Sequence, residues 1–158
     1  VPASGPDVRA LGGPRDRRAP GETRDVEPLP VEGVLTSRFG HRRDPFHGRT
    51  RAHKGIDIAA DMGAPIQAVR PGRVQVAEER DGFGRVVVIE HEDGLSTLYA
   101  HCNELKVAQG QQVSRGDEIA TVGDTGRTTG PHLHFEARLE GVSQDPLRLF
   151  GWKEVLGQ

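Results

Sequence analysis

Turn-forming residues interrupt this chain so often that only short elements fit between them. Glycine occupies 21 positions and proline 11, and both punctuate regular structure, one by its freedom at positive φ and the other by its fixed φ and missing N–H. From Val31 onward the intervals hold compact apolar runs: Val34-Leu35, Ile56 to Ile58, Ile66 to Val69, Val74 to Val76, Val86 to Ile89, Leu95 to Tyr99, Ile119 to Val122 and Leu133 to Leu139. Regular runs of this length predict a mainly β domain, antiparallel and sandwich- or barrel-like, with little helix. Pro71-Gly72, Asp81-Gly82, Asp93-Gly94, Arg115-Gly116-Asp117 and Glu140-Gly141 supply the reversals. Val86-Val87-Val88-Ile89 is apolar on both faces and predicts a central, covered strand. Asp145-Pro146 predicts the N-cap and first residue of a short closing helix through Leu149.

The domain boundaries follow from composition. Residues 1–30 hold six of the eleven prolines, five arginines, five acidic residues and no aromatic residue, so this stretch reads as a flexible Pro/Arg-rich linker or arm. Residues 31–151 form the predicted domain and 152–158 a C-terminal tail. The chain of 158 residues suffices for one domain with an ordinary core. It opens on Val1, as a trimmed or processed protein does, and any export signal or anchor is expected upstream.

Charge and cysteine content remove several function classes. Lys+Arg of 21 against Asp+Glu of 23 leaves a net charge of -2, which provides no domain-wide field for nucleic acid or an anionic membrane. No apolar run approaches the ~20 residues of a membrane span. Cys102 is the single cysteine, which excludes an internal disulfide and a cysteine-rich zinc knuckle.

The chemistry concentrates in two alternating segments. In His53-Lys54-Gly55-Ile56-Asp57, read as extended, His53, Gly55 and Asp57 share one face while Ile56 and Ile58 take the other. In the second segment His132, His134 and Glu136 share a face, with Leu133, Phe135 and Ala137 opposite. Histidines and a carboxylate brought together from these segments can supply a metal site, because three protein ligands leave a fourth position open. The bland alternatives are a capping or salt-bridged His53–Asp57 pair and a strand that merely carries histidines, and both coincidences would be required at once. Alternation also puts His101 on the face of Thr97 and Tyr99, and Cys102 on the opposite face as a buried small hydrophobe. Two imidazoles beyond the ligand set can handle protons near neutral pH.

The order His-x3-Asp, Tyr-Ala-His and Thr-Gly-x3-Thr-Gly-Pro-His-Leu-His-Phe-Glu, at His53 to Asp57, Tyr99 to His101 and Thr125 to Glu136, resembles the lysostaphin-type zinc metallopeptidases, also called the LytM or M23 family. The resemblance runs from Ser37-Arg38-Phe39-Gly40 to Asp145-Pro146-Leu147. It implies one zinc ion held by His53, Asp57 and His134, with His101 and His132 as the catalytic pair. It also implies a groove in a mostly antiparallel β domain and endopeptidase cleavage within bacterial peptidoglycan. The expected setting is the cell envelope, periplasmic or secreted, with cell-wall or divisome regulators as possible partners.

Arg49, Arg51, Tyr99 and Thr129 are the expected substrate contacts. The two arginines lie in the polar stretch His41 to Ala52, read as a loop whose guanidinium groups meet peptide carboxylates, against the plainer reading of a solvated run. An acidic residue of the arm, Asp25 or Glu27, is a candidate to enter the cleft as a latency device. Arginine outnumbers lysine 18 to 3, a bias expected of a GC-rich genome, and D-alanyl-diaminopimelate cross-links are the expected substrate over polyglycine bridges. The competing function is a non-catalytic LytM-type module that activates a cell-wall amidase, argued against by the complete ligand set. A biotinyl or lipoyl carrier fails because no lysine occupies the turn at Arg115-Gly116-Asp117. His41, His47 and His91 match no metal or catalytic position.

Overall fold

The computed structural model describes residues 27–152 apart from 44–49, 127 and 129. Its elements are β1 (Val34–Ser37), β2 (Gly40–Arg43), β3 (Thr50–His53), β4 (Ile56–Ala59), β5 (Pro65–Gln67), β6 (Gly72–Arg80), β7 (Gly84–Glu90), β8 (Leu95–Leu105), β9 (Gln112–Val113), β10 (Glu118–Val122), β11 (His132–Leu139), β12 (Val142–Gln144) and the helix α1 (Pro146–Phe150). Ten strands form one open sheet in the order β1-β4-β11-β8-β7-β6-β9, with β10 paired to β5 and β8, and β12 to β11. All these pairings are antiparallel. The expected mainly β architecture is therefore present, and β7 sits inside the sheet between β8 and β6, as its two-sided apolar sequence requires.

Register sorts the side chains into two faces, since residues directly opposite in an antiparallel pair point the same way. Phe135 faces Ile56 on one side and Tyr99 on the other, while its neighbour His134 faces Asp57 and Ala100. Ile56, Ile58, Tyr99, Leu133 and Phe135 are inaccessible to solvent and join Phe150 and Trp152 in the main core. The aromatic contacts there are edge-on for Tyr99 with Phe135 (centroids 5.2 Å apart) and stacked for Phe150 with Trp152 (4.8 Å).

Helix α1 carries its predicted cap, with the Asp145 carboxylate accepting from Leu147 N–H at 3.0 Å. It runs to Phe150, one residue beyond the predicted limit, and is capped by Gly151 in the left-handed conformation. Three boundaries differ from expectation. The stretch His41 to Ala52 is no loop at its base: β2 and β3 pair as a hairpin, held by backbone hydrogen bonds that a polar sequence does not advertise. Trp152, assigned to the tail, is fully buried, and its indole N–H donates to the Glu27 carbonyl at 2.8 Å. Glu27 to Pro30, assigned to the arm, pack onto the domain: Glu27 N–H bonds Phe150 O, Gln67 N–H bonds Pro30 O, and the Glu27 carboxylate meets Arg70 at 3.2 Å and Arg115 at 3.6 Å. Glu27 is thus committed to an ion pair and is not available as a latency ligand. Asp25 lies outside the described residues.

Strand β8 runs on to Leu105, past the apolar run Leu95 to Tyr99 that marks it in the sequence, because it serves two partners along one edge. Its first half pairs with β11 and its last residues with β10. At the change of partner its ladder with β7 slips, three steps on β8 (Tyr99 to Cys102) matching two on β7 (Val87 to Arg85). This is a β-bulge, and His101 within it has a φ of 64°, a conformation that costs a non-glycine residue about 1–2 kcal/mol.

Candidate metal centre

The bulge decides which face His101 occupies. Simple alternation puts it with Tyr99, and the structure corrects this: Ala100 and His101 both emerge on the His134 side, whereas Tyr99 and Cys102 both enter the core. Cys102 is buried as expected, and burial pushes its thiol up to about 12. Tyr99 is also corrected as a substrate contact. Its ring is fully buried, its hydroxyl accepts from Val69 N–H at 3.2 Å and meets Thr97 Oγ1 at 3.0 Å, and burial raises its pKa to about 12.

On the opposite face, four imidazoles and one carboxylate converge. Asp57 and His134 are register partners on β4 and β11, so Asp57 Oδ1 lies 2.8 Å from His134 Nδ1. His53 ends β3 and turns back toward Asp57, its Nε2 3.4 Å from Oδ2. The corner between them needs glycine, because a Cβ at Gly55 would stand 2.3 Å from the Phe135 carbonyl oxygen. The ligand atoms of His53, Asp57 and His134 all lie within 4.8 Å of one another, so these side chains could hold a metal ion.

Each histidine is braced from behind. His53 Nδ1 donates to Arg38 O at 2.8 Å, His101 Nδ1 to Thr125 O at 2.7 Å, and His132 Nδ1 to Gly130 O at 3.0 Å with Thr128 Oγ1 at 2.9 Å. A carbonyl only accepts, so these three rings carry a proton on Nδ1, which in the neutral ring leaves Nε2 unprotonated. His134 is turned the other way: its Nε2 donates to Glu136 Oε2 at 2.8 Å, and Glu136 Oε1 is gripped by the Arg138 guanidinium at 2.6 and 3.1 Å. A carboxylate behind a ligating imidazole fixes the ring and strengthens it as a donor.

The electrostatics fit a cation. Burial opposes charge on Asp57, yet hydrogen bonds from His134 and His53 hold its carboxyl well below the usual carboxylate range. Burial also opposes charge on His134, but Asp57 and Glu136 on its two nitrogens raise it to about 9. The Asp57 hydrogen bond raises His53 as well. A pair of imidazoles that each favour a proton facing one carboxylate is a donor set that a divalent ion can take over from those protons.

The other two histidines stand beside this set. The His101 and His132 ring centroids are 4.9 Å apart, and His101 is 6.1 Å from His134. His132 Nε2 is 3.8 Å from Asp57 Oδ1. Desolvation lowers the pKa of His101, favouring its neutral form. All five residues named as ligands or catalytic pair are therefore brought together. Among the expected substrate contacts, Arg51 lies in β3 in register with Arg42, and Arg49 and Thr129 fall outside the described residues. Residues the sequence reading did not assign include Glu136 and Arg138, whose signal was the His-x-Glu-x-Arg alternation along one face of β11. Phe83, whose ring stacks on His134 at 6.2 Å, had no such signal.

Known proteins resemble this chain in sequence and fold. The DD-carboxypeptidase/endopeptidase Mpg of Neisseria meningitidis is 43% identical over 123 residues, covering 78% of this chain and 28% of Mpg. The murein hydrolase activator NlpD of Escherichia coli is 39% identical over 120 residues, covering 75% of this chain and 30% of NlpD. The chain thus spans under a third of the length of these relatives. A zinc-containing peptidase from Vibrio cholerae superposes with a TM-score of 0.71 at 39% identity, over 77% of this chain and 39% of that one. The family model for peptidase family M23 matches residues 51–146, a span that includes every converging side chain, and the chain belongs to that family.

Proposed function

We propose that this domain is a zinc-dependent endopeptidase that hydrolyses peptide cross-links of bacterial peptidoglycan in the cell envelope, with D-alanyl-diaminopimelate bonds as the preferred substrate. The observation that supports this most is the complete donor set of His53, Asp57 and His134 with two further imidazoles beside it. Mpg, named for DD-carboxypeptidase and endopeptidase activity, points to the same bond class. When bound by His53, Asp57 and His134, zinc supplies Lewis acidity that polarises the scissile carbonyl and activates water.

The remaining chemistry falls to the protein. His132 is fixed with Nε2 toward Asp57 and removes the proton from the attacking water. His101 is neutral at rest with its proton on Nδ1. Once its Nε2 has taken up the proton that the attacking water gives up through His132, whose ring centroid is 4.9 Å away, it stabilises the developing oxyanion or passes that proton to the leaving amine. Phe83 walls the His134 side and limits water around the reacting groups. Arg51, together with Arg49 and Thr129, contacts the substrate peptide in this reading, and cell-wall or divisome regulators remain candidate partners.

Digestion of purified cross-linked muropeptides, read by mass with and without chelator, tests the proposal. Chelator-sensitive conversion of dimers to monomers is the expected result, and conversion that survives full demetallation refutes it. His101→Ala and His132→Ala should each lower turnover by about 10²–10⁴-fold with zinc still bound. Amidase activation is a second reading because NlpD is a relative. Stimulation of an amidase by this domain, without cleavage of muropeptides, would select it.

A further inference from the structure

We propose that Thr125 is a positioning residue that fixes the orientation and tautomer of His101. The proposal rests on the reading of His101 as a catalytic group. Thr125 acts at three points. Its hydroxyl accepts from Arg85 N–H at 3.1 Å and donates to Cys102 O at 2.6 Å, bridging the two strands at the bulge between β7 and β8. Its own carbonyl accepts from His101 Nδ1 at 2.7 Å. One residue therefore satisfies strand groups beside the bulge and holds the ring that the bulge turns outward.

The approach is close enough to require two glycines. A Cβ on Gly84 would lie 2.4 Å from Thr125 Oγ1, and a Cβ on Gly126 would lie 2.4 Å from Gly84 N. The His101 backbone is tied on the same side, its N–H donating to Phe83 O at 2.8 Å. A strained φ such as that of His101 persists only where the surroundings over-determine it, and Thr125 with its glycine neighbours provides that constraint. Because the Thr125 carbonyl can only accept, the neutral ring must carry its proton on Nδ1, which leaves Nε2 to exchange protons with substrate. Thr125 touches none of the three metal-holding side chains among its described contacts, so its effect should separate from metal binding.

The test compares Thr125→Val with Thr125→Ser in the full chain. Valine keeps the volume and removes the hydroxyl bridge, whereas serine keeps the bridge. Thr125→Val is expected to bind zinc as tightly as wild type in a chelator competition, to lose about 10–100-fold in kcat with little change in KM, and to show the His101 Nδ1–H tautomer replaced or mixed in ¹⁵N-histidine NMR spectra. Thr125→Ser should restore that tautomer and most of the kcat.

Undiminished kcat in Thr125→Val, or a kcat loss with the Nδ1–H signature intact, overturns the proposal. So does a Thr125→Ser protein that loses the tautomer, a readout that stands even where the valine variant fails to fold. Undiminished turnover in His101→Ala would instead remove His101 from the reaction. The functional reading alone would then fail, while the NMR signature would still decide whether Thr125 holds the ring.

Discussion

The two faces of β11 differ at every step along one strand. Leu133, Phe135 and Ala137 enter the core and are fully buried, while His132, His134, Glu136 and Arg138 form a polar row in which the two histidines meet Asp57 and Glu136 joins His134 to Arg138. The inner row is held by packing, which tolerates exchange among apolar residues of similar volume. The outer row is held by directed hydrogen bonds, for which a substitute must supply the same atom at the same place. Stability and chemistry are thus interleaved at single-residue spacing, and a one-residue slip of β11 would exchange them.

Four substitutions probe that division. His134→Ala should have the largest effect: activity and zinc binding are both lost while the fold is kept, checked by atomic absorption after gel filtration alongside circular dichroism. A destabilised core with retained zinc would reverse the assignment of the two rows. Phe135→Ala, one position away, should lower stability by about 3–5 kcal/mol in denaturant unfolding, with the folded fraction still able to bind zinc. Glu136→Gln should weaken zinc affinity by about 10–100-fold in a chelator competition, because the ring of His134 loses its charged partner but not its place.

The smallest effect concerns His91, on the core side and away from the metal face. Its Nδ1 meets Pro71 O and its Nε2 meets Thr97 Oγ1, each at 2.8 Å, and burial lowers its pKa. A base whose folded pKa lies below its unfolded value binds more protons when unfolded. His91 should therefore cost stability as pH falls below about 6.5, and the cost should grow until the folded form also titrates. Thermal unfolding of His91→Gln at successive pH values should show a shallower decline across that window.

Sequence alone reached the parts of the molecule governed by alternation. On β11 each side chain follows from its neighbour, so His132 and His134 could be placed on one face before any coordinates. His53 and Asp57 do meet, but across the corner at Gly55 between β3 and β4 rather than along the one extended segment expected. The Asp145 cap was legible for a similar reason, since one side chain acts on its own local backbone. Alternation failed at His101 and Tyr99 because a bulge adds a residue without a glycine to announce it. It failed again at the hairpin of β2 and β3, whose polar sequence carries no apolar alternation. The commitment of Glu27 to Arg70 and Arg115, and of Trp152 to the core, depends on contacts between positions far apart in the chain. No local pattern encodes such contacts.

The tight corner at Gly55 has a further consequence. With no clearance against the Phe135 carbonyl, the hairpin that delivers His53 is keyed to the strand that delivers His134, so the donors come from scaffolding already assembled. Ion capture then needs only side-chain adjustment, and its rate should follow the shedding of the ion's own hydration water. Amide exchange across β4 and β11 should accordingly be nearly the same before and after metal is added.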